Sequence, residues 1–166
     1  YVSGQIPSGD TIHVFVVHLP SRFGGERYSR PFRQAAAERL CQSIDSIQTV
    51  TTMPKILIAG DFNEEDDGPV MQEICRHGVS CLTNNAKGAN GVLGTYRYKG
   101  EWGSIDHILS SPYIYTKVER AFIHAPLFLL EEDQQYGGFK PRRTYNGMRY
   151  QPGYSDHLPL VVRIRY

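Results

Sequence analysis

Apolar and polar positions divide this chain into short blocks of two different periods. Thr11-Ile12-His13-Val14-Phe15-Val16-Val17-His18 is a near-continuous β-branched and apolar run of strand length, entered from the turn-like Pro7-Ser8-Gly9-Asp10. It predicts a buried strand ending on His18. From Ser29 the period becomes helical: Pro31 suits a first turn, Ala35-Ala36-Ala37 favours helix, and Leu40, Ile44 and Ile47 recur at helical spacing. Pro54 breaks that pattern. Lys55-Ile56-Leu57-Ile58-Ala59-Gly60 then reads as a second buried strand that delivers Asp61 at its end. Strand, helix, strand implies α/β layering.

Further along, a short helix is predicted over Pro69–Arg76, followed by a polar, Gly-rich loop at 83–94. Strands are predicted near 95–98, 104–109 and 117–123, and a last one over 158–164. Residues 130–153 read as one long irregular stretch rich in Gly, Tyr, Arg and Pro, and loops of that length inside compact domains are usually functional or mobile. No internal repeat and no linker-like segment interrupts the order.

Composition narrows the picture. With 166 residues and 40% apolar positions, the chain can bury one sizeable core, and its length predicts a single domain. Eighteen Lys and Arg against seventeen Asp and Glu leave a net charge of +1, so no global attraction to DNA or to an anionic membrane exists and any nucleic-acid contact has to be local. No run approaches the roughly 18 consecutive apolar residues of a membrane span. Tyr1-Val2-Ser3-Gly4 has neither the basic nor the apolar region of a signal peptide, and the compartment, cytoplasm or exterior, is left open. Cys41, Cys75 and Cys81 are odd in number and lack a metal-binding CxxC pair, so they read as buried free thiols rather than a disulfide framework.

The candidate chemistry sits at the tips of the apolar runs. His18 and Asp61 end their strands, whereas Asp106, Asp156 and His157 stand at or near the start of theirs. Antiparallel neighbours would bring such ends to one edge of a rigid sheet. Converged, these residue types suit one task. Carboxylates are hard oxygen ligands for Mg²⁺ or Mn²⁺, and no dense His/Cys cluster offers a structural zinc site. A divalent ion neutralises phosphate charge, a carboxylate positions and deprotonates water, and His or Asn donors stabilise charge gathering on phosphorus oxygens. An Asp bonded to one imidazole nitrogen orients the ring and favours its protonated form, a role that fits Asp106 with His157.

Gly60-Asp61-Phe62-Asn63, Ser104-Ile105-Asp106-His107-Ile108-Leu109 and Ser155-Asp156-His157-Leu158-Pro159, in that order and preceded by Val17-His18-Leu19, resemble the endonuclease/exonuclease/phosphatase family. The resemblance runs from about Thr11 to Ile164 and corresponds to the later part of the family's pattern. It implies an α/β (α+β), DNase I-like layered sandwich of mainly antiparallel or mixed sheets flanked by helices, with residues 1–166 as the C-terminal part of one such domain. The N-terminal half of the same protein, with an Asn and a metal-binding Glu at strand ends, is then expected to be the partner of this chain.

Residue by residue, the resemblance implies that Asp61 aligns and activates water, that Asn63 contacts the scissile phosphate, and that Asp156 helps Asp61 hold the metal. It implies that His157 contacts the phosphate with Asp106 orienting it, and that His18 acts on the phosphate or donates a proton. The implied activity is divalent-metal-dependent hydrolysis of a phosphorylated nucleic acid, phospholipid or sugar by in-line attack of water. A noncatalytic phosphate-binding module on the same scaffold is the other reading, and the oligomeric state is open.

Arg22, in the Ser21-Arg22-Phe23-Gly24-Gly25 turn after His18, is a candidate phosphate contact, and Trp102, just before Ser104-Ile105-Asp106, is a candidate substrate-binding residue. Tyr96, Tyr98, Lys140, Arg142, Arg143, Tyr145, Arg149, Tyr150 and Tyr154 interleave basic and aromatic groups, which suits either a grip on a phosphorylated or stacked substrate or an amphipathic loop packed on the sheet. Glu64-Glu65-Asp66-Asp67 reads as a solvated acidic loop or the N-terminal charge of the next helix. His107 adjoins Asp106 on a strand and is expected to face the opposite side, while His13, His77 and His124 show no partner in the sequence.

Overall fold

A computed structural model describes residues 1–165. The predicted turn at Pro7–Asp10 joins β1 (Val2–Gln5) to β2 (Thr11–His18) as an antiparallel hairpin. Helix α1 (Glu26–Val50) then crosses to β3 (Lys55–Asp61). It starts one turn before the predicted Ser29, with the Ser29 N–H already bonded to the Gly25 carbonyl, and so it encloses Pro31. Helix α2 (Pro69–Arg76) opens on its proline as expected.

The short β4 (Ser80–Cys81) precedes the hairpin of β5 (Tyr96–Tyr98) and β6 (Glu101–Gly103). Strand β7 (Asp106–Ser110), the one-turn α3 (Pro112–Tyr115) and β8 (Val118–Ile123) follow. The stretch read as irregular carries two small hairpins, β9 (Leu130–Glu132) with β10 (Phe139–Pro141) and β11 (Tyr145–Asn146) with β12 (Arg149–Tyr150). The last strand, β13 (Leu160–Ile164), pairs with β8.

The main sheet has the order β1-β2-β3-β7-β4. Strand β2 runs parallel to β3, contrary to the expectation that antiparallel pairing gathers all the strand tips, because α1 provides the crossover that parallel strands need. Only β7 meets β3 antiparallel. The outcome at the edge is the same: His18 lies opposite Asp61 in one register and Asp61 opposite Asp106 in the other.

Two apolar clusters form. Phe15, Ile56, Ile58 and Leu109 on one sheet face pack under Leu40, Cys41 and Ile44 of α1 and Val70, Met71 and Ile74 of α2. Burying an aliphatic side chain of this kind contributes about 1.5–3 kcal/mol. The second cluster gathers Ala86, Val92, Ile123, Ala125, Leu130 and Leu158 beneath the 83–94 loop and the hairpins. Alternation along the strands puts Val14, Val16, Leu57, Ala59 and Ile108 on the other face of the main sheet, where Val16 is 76% exposed. All three cysteines are free thiols, and burial pushes Cys41 up to about 11.

Candidate active site

Gly60 makes the strand ends meet. It adopts φ 152°, and a Cβ there would lie 1.8 Å from the Val17 carbonyl oxygen, so only glycine lets β3 approach β2 this closely one residue before the site. Asp61 follows, with His18 Nε2 at 3.5 Å from its Oδ2. The chain then folds back on itself. Asn63, in the left-handed region at φ 50°, donates its backbone N–H to Asp61 Oδ1 at 2.8 Å, a local turn that Asn tolerates well. Its side-chain amide donates to Asp61 Oδ2 at 3.2 Å and to the Leu19 carbonyl at 2.9 Å. Both amide donations are therefore made within the chain, and they lock the Asp61 carboxylate and the end of β2 together.

Asp106 opens β7 directly across from Asp61. Its Oδ2 accepts 2.5 Å from the Thr95 hydroxyl and 2.7 Å from His157 Nδ1. Thr95, which no local pattern in the sequence marks, is fully buried, and its carbonyl also receives the Leu158 N–H, so it fixes both Asp106 and the chain carrying His157. The Tyr96 ring lies 5.0 Å from that of His157, and the two backbones form an isolated antiparallel bridge.

Ligand atoms of Asp61, Asp106 and His157 all lie within 4.8 Å of one another. Burial raises Asp61 above the ordinary carboxylate range, and the negative charge of Asp106 adds to that, outweighing the Asn63 N–H that opposes it. Burial by itself would lower His157. The hydrogen bond to Asp106 and the charges of Asp106, Asp61 and Asp156 more than reverse it, so the imidazolium is favoured.

Asp156, expected as a metal ligand, is exposed beside His157 and stands outside this triad. His18 is mostly exposed. Arg22 donates through Nε to the Asn63 carbonyl at 2.9 Å and lies 3.8 Å from Glu26 and 3.9 Å from Glu65, at the rim of the site. Trp102 is half-buried and packs against the second apolar cluster, with Arg97 5.5 Å from its ring.

The acidic run after Asn63 is solvated only in part, with Asp67 exposed and Glu64 buried. Glu64 is buried and accepts 2.9 Å from Nε of Arg33, a fully buried guanidinium on α1 that also reaches Ser29 and Glu26. The Glu64 carbonyl takes the Nε2 hydrogen bond of His107, which is buried on the face opposite Asp106 as the strand alternation predicts. Glu65 accepts from the Ser104 N–H at 2.9 Å. The loop that carries Asp61 and Asn63 is thus pinned from α1, from His107 on β7 and from Ser104 just before that strand. His77 is also partnered, by Asp45 and Glu73, and His13 by the Tyr1 hydroxyl.

A sequence profile of the Endonuclease/Exonuclease/phosphatase family matches residues 1–166. No curated protein matches the chain. Among solved structures, a mannosyl-6-phosphatase from Bacteroides thetaiotaomicron is similar at TM-score 0.60 and 17% identity, over 96% of this chain and 53% of that one. Another endonuclease/exonuclease/phosphatase family protein from the same organism superimposes at TM-score 0.59 and 16% identity, over 94% and 50%. A 3′ phosphatase from Neisseria, bound to product DNA hairpin, gives TM-score 0.57 and 17% identity over 99% and 64%. The chain spans about half the length of the first two. These likenesses show the fold, a layered α/β arrangement of mixed sheets flanked by helices.

Proposed function

The chain belongs to the endonuclease/exonuclease/phosphatase family, and from that premise we propose that it hydrolyses phosphate esters, with water attacking phosphorus in line. The convergence of Asp61, Asp106 and His157 within 4.8 Å is the observation that best supports this reading. Asp61 is the base. It is held by two donations from Asn63, and the raised affinity for protons that burial and Asp106 confer brings it closer to a working pH. His157, whose protonated form Asp106 favours, supplies a donor to the phosphate oxygens on which charge gathers. His18, exposed beside Asp61, contacts the phosphate or returns a proton to the leaving oxygen. Asn63 acts first by fixing Asp61, and Arg22 extends the positive rim next to it.

The donor set fits a divalent cation of the hard type. Two carboxylates close enough to repel one another, with an imidazole beside them, would be relieved by Mg²⁺ or Mn²⁺. Asp61 and Asp106 would hold the ion, with Asp156 as a further carboxylate at the rim, and it would neutralise charge on the phosphate. The substrate class is a phosphorylated molecule, whether nucleic acid, phospholipid or sugar phosphate. The similar structures include a mannosyl-6-phosphatase and a 3′ phosphatase bound to product DNA hairpin. Among the described residues no helix is long and apolar enough to cross a membrane.

Release of nitrophenol from bis(p-nitrophenyl) phosphate in Mg²⁺ tests the reading. Asp61→Asn and His157→Ala are each expected to abolish it. Turnover at the wild-type rate in both variants refutes the assignment.

A further inference from the structure

The two hairpins after Leu130 build a second cationic site next to the first. A cavity of about 380 Å³ opens between them, lined by Arg142, Arg143, Arg149, Tyr150 and Glu131. Glu131 is neutralised by Lys140 at 3.5 Å. Among the described residues, none of the three arginines has a carboxylate within ion-pair distance. Three arginines thus line one cavity whose single carboxylate, Glu131, is already paired with Lys140, and an anion would relieve the excess positive charge.

The arrangement is held in place by specific contacts. The Tyr154 N–H donates to the Arg142 carbonyl at 2.7 Å, the Gln151 N–H to the Thr144 carbonyl at 2.7 Å, and the Thr144 hydroxyl to the Tyr154 carbonyl at 2.8 Å. A Cβ on Gly153 would lie 2.1 Å from the Arg143 carbonyl oxygen and 2.4 Å from that of Arg142, so glycine lets the returning chain close on the arginine pair. The Arg142 guanidinium stacks 6.0 Å from the Tyr154 ring, and Arg143 sits 5.3 Å from the Tyr96 ring while donating to the Arg97 carbonyl at 2.8 Å. Stacking of this kind preorganises a guanidinium for planar oxyanions.

Tyr96 links the two sites, since its ring also lies 5.0 Å from His157. The two ring contacts in series put the Arg143 guanidinium at most about 10 Å from the His157 ring. We propose that Arg142, Arg143 and Arg149 form a subsite for a second phosphate of the substrate, so that this site takes molecules carrying two or more phosphate groups. The proposal rests on the phosphoester reading of the His157 site. The second phosphate comes either from the next residues of a nucleic-acid strand or from a small bisphosphorylated sugar, and in both cases the recognised chemistry is a phosphate oxyanion held by guanidinium forks.

The test is binding, which needs no turnover. Calorimetry on the purified protein compares glucose 6-phosphate with glucose 1,6-bisphosphate, and a mononucleotide with a single-stranded trinucleotide. At least one two-phosphate probe is expected to bind about tenfold more tightly than its single-phosphate counterpart. The double variant Arg142→Gln/Arg149→Gln is expected to abolish that preference. Preference for the sugar alone or the strand alone supports the subsite and identifies the source. Equal binding of both members in both pairs overturns the proposal, as does a preference that survives in a double variant with wild-type melting behaviour. Arg149→Gln alone, at an exposed hairpin position, covers the case in which the double variant does not fold: the proposal falls if it leaves the preference unchanged. A protein that shows the preference but hydrolyses nothing would refute the hydrolytic reading and leave the subsite standing.

Discussion

Asp61, Asp106 and His157 are useful to each other because their preferences conflict. The raised Asp61 and the raised His157 both trace in part to Asp106, which repels one neighbour and attracts the other. Asp106→Asn is therefore expected to lower kcat/KM by about a hundredfold. It should also move the alkaline limb of the pH profile to lower pH, because the imidazolium loses its main support. An NMR titration of the His157 ring checks the shift directly, and an unmoved value would contradict the pairing. Stability carries a signature of Asp61 as well. Its folded-state pKa lies above the unfolded 3.8, so the native state binds its proton more tightly and loses stability as pH rises through that window. At neutral pH the ionised carboxylate is a cost, and Asp61→Asn should raise Tm by about 2–4 °C at pH 7 while giving no gain at pH 3. A lower Tm at pH 7 in calorimetry would refute the account. For His157 the sign is the same, in a higher pH window: its stabilisation is full below the unfolded 6.5 and fades as pH rises through the higher folded value.

At the scale of elements, Gly60 decides whether the site exists. Alanine there meets the Val17 carbonyl at 1.8 Å, which forces β3 away from β2 or tilts it. Overpacking against backbone is expected to cost about 3 kcal/mol or more, read as a lower urea midpoint, with loss of activity in whatever fraction remains folded. A midpoint equal to wild type would show that the close approach is not required. The long strands and α1 were legible because Val14-Phe15-Val16-Val17, Ile56-Leu57-Ile58 and Leu40-Ile44-Ile47 carry enough apolar residues to show a period. The hairpins after Leu130 were not, since strands of two or three residues are too short to alternate. His18, Asp61, Asp106 and His157 stood out because each breaks an apolar run. Thr95 did not, because a hydroxyl ahead of a Tyr-rich segment has no local sign of the carboxylate it will meet. Glu64 looked like solvated charge because its partner Arg33 lies 31 positions earlier, and only the fold buries the two together.

Over the whole molecule, the site draws its residues from chain segments anchored in two separate apolar clusters. The cluster under α1 and α2 carries β3 with Asp61, while the second cluster contains Leu158, next to His157. Thr95, with one bond to each side, is the joint between them. The parallel pairing of β2 with β3 belongs to this scale too: strand tips can be seen in the sequence, but which neighbour each strand takes depends on the path of α1. Because the carboxylates come from adjacent strands, their repulsion strains the seam of the main sheet, and a bound divalent cation should be felt by the whole fold. Mg²⁺ at about 100 times its Kd is expected to stabilise the protein by about 2.7 kcal/mol, with EDTA reversing the gain. The gain should shrink in Asp61→Asn, which removes both a ligand and the repulsion. Thermal melts of the wild-type protein and of Asp61→Asn, with Mg²⁺ and with EDTA, decide it. A Tm indifferent to Mg²⁺ in the wild-type protein would mean that Asp61 and Asp106 do not share an ion, and the raised basicity of Asp61 would then have to serve water activation by itself.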